Sequence, residues 1–275
     1  MRAAILQSTS GIDPAENARM LVDAVDRAKA GGADMLFTPE MVGCLDRDRS
    51  RAAETLKNEA DDIVLSAVRD AAIHAGIWVH IGSLGLKGER GDDRWTNRSF
   101  IIDPAGEVQA RYDKIHLFDV DLPDGISWRE SAVYGPGDAL AIADTPWGRM
   151  GLSVCYDVRF AGLYQRLSDA GASVLLIPAA FTVPTGRDHW EILLRARAIE
   201  NACFVIAPAQ TGTHEDGRET YGHSMVIDPW GKVLLDMGSK EGLGFADIDF
   251  TQVGAVRARI PVLQHRRPLP EIERT

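Results

Sequence analysis

Two stretches far apart in the chain carry one design. Ile101-Ile102-Asp103-Pro104-Ala105-Gly106-Glu107-Val108 and Val226-Ile227-Asp228-Pro229-Trp230-Gly231-Lys232-Val233 each read as a strand, a Pro–Gly turn and a returning strand. Helix and strand patterns alternate around both, which favours an α/β fold built from two similar halves. A first helix begins where Asp13 can cap it, with Pro14 in its first turn and Glu16 at the capping-box position. Leu21, Val22, Val25 and Ala28 form its apolar face, and Gly31-Gly32 stops it. A second helix carries Ile63, Val64, Ala67, Val68 and Ala71 ahead of Gly76, and the strand Ile77-Trp78-Val79-His80-Ile81 follows. Residues 160–167 and 188–201 read as helices, 172–180 and 203–209 as strands, and 260–268 lacks clear periodicity. No stretch rich in Gly, Ser or Pro divides the chain, so one domain over residues 1–275 is expected.

Charge and cysteine usage narrow the partners. A formal net charge of −10 argues against an electrostatic grip on nucleic acid or anionic lipid. A substrate bearing carboxylates would need local arginines to hold it against that background. No segment reaches the length of an apolar membrane span, and Met1-Arg2-Ala3-Ala4-Ile5-Leu6-Gln7 reads as a first strand rather than a signal-peptide core. Three widely spaced cysteines make no disulfide framework, so a reduced, cytoplasmic setting is expected. The sequon Asn97-Arg98-Ser99 is then a chance match. The histidines show no His-x-x-x-His spacing and the cysteines no Cys-x-x-Cys, so no zinc site is expected. Gly-rich phosphate loops and a Gly-x-Ser-x-Gly elbow are absent as well.

The reactive candidates sit at strand ends. Cys155 closes the apolar run Met150-Gly151-Leu152-Ser153-Val154 and leads into Tyr156-Asp157-Val158-Arg159-Phe160. A strand ending on a thiol and entering a helix presents the sulfur at the mouth of a sheet, where ligands bind in open α/β folds. Met35-Leu36-Phe37-Thr38-Pro39 delivers Glu40 in the same manner, and Ala110-Arg111-Tyr112-Asp113 delivers Lys114. Thiol, carboxylate and ammonium together are the parts of a cysteine nucleophile with its own base and oxyanion partner. Singly, each has a plainer reading, the cysteine as core and the charges as solvated surface. A charge directly after an apolar stretch is nevertheless costly without partners. Cys44 and Cys203 have no reactive context and read as core. Arg159 is open to two readings, a grip on a substrate carboxylate or a pair with an acid such as Asp157. Phe181 and Thr182, just past a buried strand, are expected to line the pocket. Glu191 and Arg195 lie one turn apart in a helix that reads as packed and salt-bridged.

Thr38-Pro39-Glu40, Tyr112-Asp113-Lys114-Ile115-His116-Leu117-Phe118 and Val154-Cys155-Tyr156-Asp157-Val158-Arg159-Phe160 occur in the order of three motifs of the nitrilase superfamily of carbon–nitrogen hydrolases. The chain resembles that family from its first strand to its last few residues. The resemblance implies a four-layer αββα sandwich with Cys155 as nucleophile and Glu40 as base, then acid. It implies Lys114 and the backbone N–H of Tyr156 as oxyanion donors, a thioester on Cys155, and no metal or organic cofactor. Trp128-Arg129-Glu130-Ser131, followed by Tyr134-Gly135-Pro136-Gly137, resembles the loop with a second active-site glutamate. Glu130 is accordingly expected to orient Lys114 and help position the substrate, while His116 is left structural. The family's tail often packs on a partner subunit, so a homo-oligomer is expected.

Within the family, Lys114-Ile115-His116-Leu117-Phe118-Asp119-Val120, Gly186 with His189-Trp190-Glu191, and Tyr221-Gly222-His223-Ser224-Met225-Val226 resemble the deaminated glutathione amidase and ω-amidase branches. Leu263-Gln264-His265-Arg266-Arg267-Pro268 leans toward the first. Both branches release 2-oxoglutarate, the first with a cysteinylglycine leaving group and the second with ammonia. Ala161-Gly162-Leu163 departs from the family's more frequent Pro-Glu-Leu, which removes an acid beside the site. Other small amide, carbamoyl or nitrile substrates, acyl transfer to an amine, and a partner-binding pseudoenzyme are the competing readings.

Overall fold

The computed structural model describes residues 1–88, 92–121 and 127–273. Twelve strands make two six-stranded sheets. In chain order they are β1 (Arg2–Gln7), β2 (Met35–Phe37), β3 (Trp78–Leu86), β4 (Thr96–Ile102), β5 (Val108–Asp113), β6 (Ile142–Thr145), β7 (Gly148–Leu152), β8 (Ala172–Leu176), β9 (Phe204–Ala207), β10 (Met225–Ile227), β11 (Val233–Asp236) and β12 (Gly242–Asp247). One sheet runs β12-β1-β2-β3-β4-β5 and the other β6-β7-β8-β9-β10-β11. Both follow one series of pairings: antiparallel, parallel, parallel, antiparallel, antiparallel. The duplicated hairpins occupy equivalent edges. Asp103 N donates to Glu107 O at 3.0 Å in one, and Asp228 N to Lys232 O at 2.9 Å in the other. Each turn places its glycine in the left-handed region, Gly106 at φ 77 and Gly231 at φ 85.

Period-two alternation divides the first sheet between two cores. Ala4, Leu6, Leu36, Phe100 and Ile102 pack with Leu21 and Val25 of α1 (Pro14–Ala30) and with Val68 and Ala72 of α2 (Ile63–Ala75). Ala3, Ile5, Met35, Phe37 and Ile101 point the other way and join the second sheet. That cluster continues into Leu163 and Leu167 of α3 (Ala161–Asp169) and Trp190 and Leu194 of α4 (Val183–Asn201). The result is the expected αββα sandwich.

Several local expectations shift for identifiable reasons. Asp13 caps α1 alone, accepting from Ala15 N at 2.8 Å, because Glu16 turns to Arg19 instead. Ile63, the first residue of α2, lies off its buried stripe and is 52% exposed. Helix α4 starts at Val183 rather than 188, since Pro184 needs no N–H in a first turn. Gly186 lies within that turn beneath Tyr221, whose Cγ would stand 2.3 Å from an added Cβ. The strands read over 172–180 and 203–209 stop at Leu176 and Ala207, ahead of Pro178 and Pro208, which cannot donate to a ladder.

Gly82 shows how the sheet sets the site. Its N–H donates to Thr38 Oγ1 at 3.0 Å, and a Cβ there would meet Thr38 O at 2.1 Å and Pro39 O at 2.4 Å. Gly82→Ala is therefore expected to push the Glu40 loop off β3 and to cost on the order of 3 kcal/mol, the upper end of overpacking effects. Urea denaturation checks this, and a wild-type midpoint would refute the close packing.

Candidate active site

Each motif residue stands where a strand gives way to a tight turn. After β7 the chain passes Ser153 and Val154, and Cys155 takes φ 50 as the first residue of a 3-10 turn, Cys155–Arg159. A non-glycine residue in that region is held there by its surroundings. Cys155 N donates to Pro178 O at 2.8 Å, and Val154 N to Asp157 Oδ2 at 2.9 Å. Asp157 is fully buried and also accepts from Tyr112 OH at 2.7 Å and from His116 N at 3.0 Å. His116 Nδ1 lies 2.7 Å from the same carboxylate, and its ring stacks on Phe160 with centroids 3.6 Å apart. Asp157 thus ties the cysteine turn to the residues on either side of Lys114. His116 belongs to this brace.

Lys114, 2% exposed, is fixed through its backbone: its N–H donates to Asn97 O and its carbonyl accepts from Gly137 N, both at 2.9 Å. Its ammonium donates to Glu40 Oε1 at 2.9 Å and to Glu130 Oε1 and Oε2 at 3.0 and 2.9 Å. Glu40 Oε2 accepts from Ala180 N at 2.9 Å. The Cys155 thiol lies against the Glu40 carboxylate. Glu130 is held in turn by Phe118 N, which donates to Oε2 at 2.6 Å. Glu40, Lys114, Cys155 and Glu130 therefore meet in one cluster, although they come from four separate segments.

Burial and charge set the protonation pattern. Burial alone would raise the Glu40 pKa, but the Lys114 charge, the adjoining Cys155 thiol and hydrogen bonds from Lys114 and Asn97 hold it below the ordinary glutamate value. Burial would strip the proton from Lys114, yet the charges of Glu130 and then Glu40 keep it an ammonium. Burial and the Glu40 charge raise the Cys155 thiol well above its usual value, with Lys114 only partly opposing them. The resting cluster is a neutral thiol beside a carboxylate and an ammonium. Cys44 and Cys203 are both pushed up to about 11, chiefly by burial. Cys203 does have a polar neighbour that its sequence context does not show, Arg257 Nη2 at 3.2 Å from Sγ.

A cavity of about 340 Å³ opens onto this cluster, and Tyr156, Phe181 and Thr182 are in its wall. At the start of its turn, the Tyr156 N–H has no acceptor within it. Arg159 is outside the lining. It lies 5.8 Å from the Tyr156 ring centroid and 5.5 Å from that of Phe181, with Nη2 3.3 Å from His189 Nδ1. Among the described residues it pairs with no acid, because Asp157 faces Tyr112 and His116. Glu191 and Arg195 do pair, at 3.1 Å.

Asn97 belongs to the cluster as well. Its Nδ2 donates to Glu40 Oε1 at 3.0 Å and to Glu130 Oε1 at 3.3 Å, so one amide spans both carboxylates. Asn97 stands in the polar first half of β4, Thr96-Asn97-Arg98-Ser99, where nothing local sets it apart. Arg47, Arg49, Arg129 and Arg218 also line the cavity from loops and short ribbons, where no periodicity marks them.

A buried thiol–carboxylate–ammonium cluster at the end of an αββα sandwich defines a cysteine-nucleophile type of site. The chain belongs to the carbon–nitrogen hydrolase family, whose profile matches residues 2–258. It is 43% identical over 272 residues to a deaminated glutathione amidase of a Synechocystis species, covering 96% of this chain and 97% of that one. The nitrilase–fragile histidine triad fusion protein of C. elegans superposes with a TM-score of 0.87 at 39% identity, covering 97% of this chain. This chain spans 65% of that polypeptide. An amidase variant from Nesterenkonia sp. AN1, with acrylamide joined to its active-site cysteine by Michael addition, superposes with a TM-score of 0.78 at 29% identity. Coverage there is 95% of this chain and 98% of that one. No described helix is long and apolar enough to cross a membrane. Among the described residues no group of three or more His, Cys, Asp or Glu is arranged to hold a metal ion.

Proposed function

We propose that this carbon–nitrogen hydrolase is an amidase that cleaves deaminated glutathione to 2-oxoglutarate and cysteinylglycine through a thioester on Cys155. The observation that carries the reading is the Glu40 carboxylate held between the Cys155 thiol and the Lys114 ammonium. Cys155 Sγ attacks the amide carbonyl while its proton passes to Glu40. The carbonyl oxygen becomes an oxyanion, for which the Lys114 ammonium and the Tyr156 N–H are the donors. Preorganised donors of this kind each lower a barrier by about 3 kcal/mol. The C–N bond then breaks as Glu40 returns its proton to the departing nitrogen. Water, deprotonated by the same carboxylate, cleaves the thioester, and the proton goes back to sulfur. Glu130 keeps Lys114 charged and aimed, and Asn97 holds the two glutamates at a fixed separation.

The choice of substrate is supported by the Synechocystis relative and by a cavity with room for more than a primary amide. Three free cysteines suit a cytoplasmic setting. Exposed Ile192, Ile199 and Trp230 support a homo-oligomer, since large apolar groups gathered at a surface favour association. The test is 2-oxoglutarate release from deaminated glutathione and from 2-oxoglutaramate. Faster release from the former, absent in Cys155→Ala, is expected. Release from the latter alone would make the protein an ω-amidase, and release from neither would discard the substrate.

A further inference from the structure

The cavity mouth holds positive charge that the reaction does not use. Of the arginines in its wall, Arg129 is taken by Asp121 at 2.8 Å, and Arg49 reaches Arg129 O at 3.2 Å. Arg47 and Arg218 are gathered by one buried carboxylate. Asp216, its side chain 1% exposed, accepts from Arg47 N and Arg218 N, both at 2.9 Å, and stands 3.2 Å from Arg218 Nη2. The Arg218 guanidinium lies 4.8 Å from the centroid of the Trp128 ring, and its buried Nε has no hydrogen-bond partner. Arg47 Nη2 lies beside Gly217, 3.2 Å from where a Cβ would be. Among the described residues the Arg47 guanidinium has neither a carboxylate nor a hydrogen-bond partner. Asp46, the remaining acid in this part of the wall, is occupied by Arg51 at 2.6 and 2.8 Å. Asp216 thus pairs with the guanidinium of Arg218 but with only the backbone of Arg47, in a chain whose net charge is −10.

We propose that Arg47 and Arg218 form an anchor for a carboxylate at the far end of the leaving group. The inference rests on the amidase reading above and extends it to the amine half of the substrate. Glu40 returns its proton to the departing nitrogen, so the leaving group extends on the Glu40 side of Cys155. Met41, Leu45 and Asp46 lie in the cavity wall between that carboxylate and Arg47 in the chain. A guanidinium fork matches a carboxylate in two hydrogen bonds, and a buried N–H without an acceptor is completed by one. The site therefore selects amides whose amine part is a short peptide ending in a free carboxylate. Primary amides leave the anchor empty.

Two measurements test this. In Arg47→Ala, the ratio of kcat/KM on deaminated glutathione to that on 2-oxoglutaramate is expected to fall roughly 10- to 100-fold, mostly through KM, with partial recovery in Arg47→Lys. An unchanged ratio overturns the anchor. Separately, alanylglycine should slow alkylation of Cys155 by iodoacetamide more than alanylglycinamide does, and Arg47→Ala should erase that difference. Equal protection by the two peptides in the wild type, or a difference that survives in Arg47→Ala, overturns it as well. The second measurement needs no turnover of deaminated glutathione. Failure of the substrate reading, seen as no 2-oxoglutarate from the wild type, is thereby separated from failure of the anchor.

Discussion

Cys155→Ala is expected to lower turnover by roughly 10⁴-fold or more while the chain keeps its fold. Loss of a covalent nucleophile removes the intermediate itself, and the remaining oxyanion donors act only on an uncatalysed attack by water. Neither remaining thiol can stand in. Cys44 and Cys203 are buried and held at about 11, and neither hydrogen-bonds to Glu40. The structural cost should be small. Alanine at φ 50 is no more strained than cysteine, and the backbone bond from residue 155 to Pro178 O does not involve the side chain. Removing one buried sulfur costs about 1 kcal/mol. The measurement is 2-oxoglutarate release together with a thermal melt. More than about a hundredth of wild-type turnover in a clean preparation would rule out the thioester mechanism.

Lys114→Met should damage stability and chemistry together. The ammonium bridges Glu40 and Glu130, all three groups being largely withdrawn from water. Taking away one member of a buried ionic set leaves its partners uncompensated, a loss of about 3 to 5 kcal/mol. Activity should drop by at least about 10²- to 10³-fold, the effect of losing a single oxyanion donor. The pH dependence separates this cause from simple misfit of the new side chain. With the cation gone, two facing carboxylates raise each other's folded pKa above the unfolded value. Stability contributed by such a group is fully present below the unfolded pKa and is lost as pH rises through the folded one. The deficit relative to wild type should therefore be smaller in mild acid than at neutral pH. Urea midpoints measured across that range decide the matter, and a deficit independent of pH would point to packing alone.

Much of this arrangement was legible from local patterns. The duplicated strand–turn–strand units mark the two related sheets, because turn chemistry acts over a few residues and alternation within a strand states which face is buried. Glu40, Lys114 and Cys155 are visible because each follows an apolar or strand-like run, where a reactive group needs a reason to be. Glu130 is legible only through its resemblance to a family loop, and Asn97 carries no local mark beyond a chance sequon. Of the two options for Arg159, the pair with an acid is absent among the described residues. The side chain lies against two aromatic rings, and Asp157 turns inward to brace the nucleophile turn against Tyr112 and His116.

Strand ends, helix caps and turns are thus determined by neighbours along the chain. Which charges meet across the fold is not. Asp216 holds the backbone of Arg47 from 169 residues away, and Ala180 N completes Glu40 from 140 residues away. Any of the chain's many acids and bases satisfies a local pattern equally well. The partner of each is chosen only when two sheets close on one core and desolvation makes an unpaired charge costly.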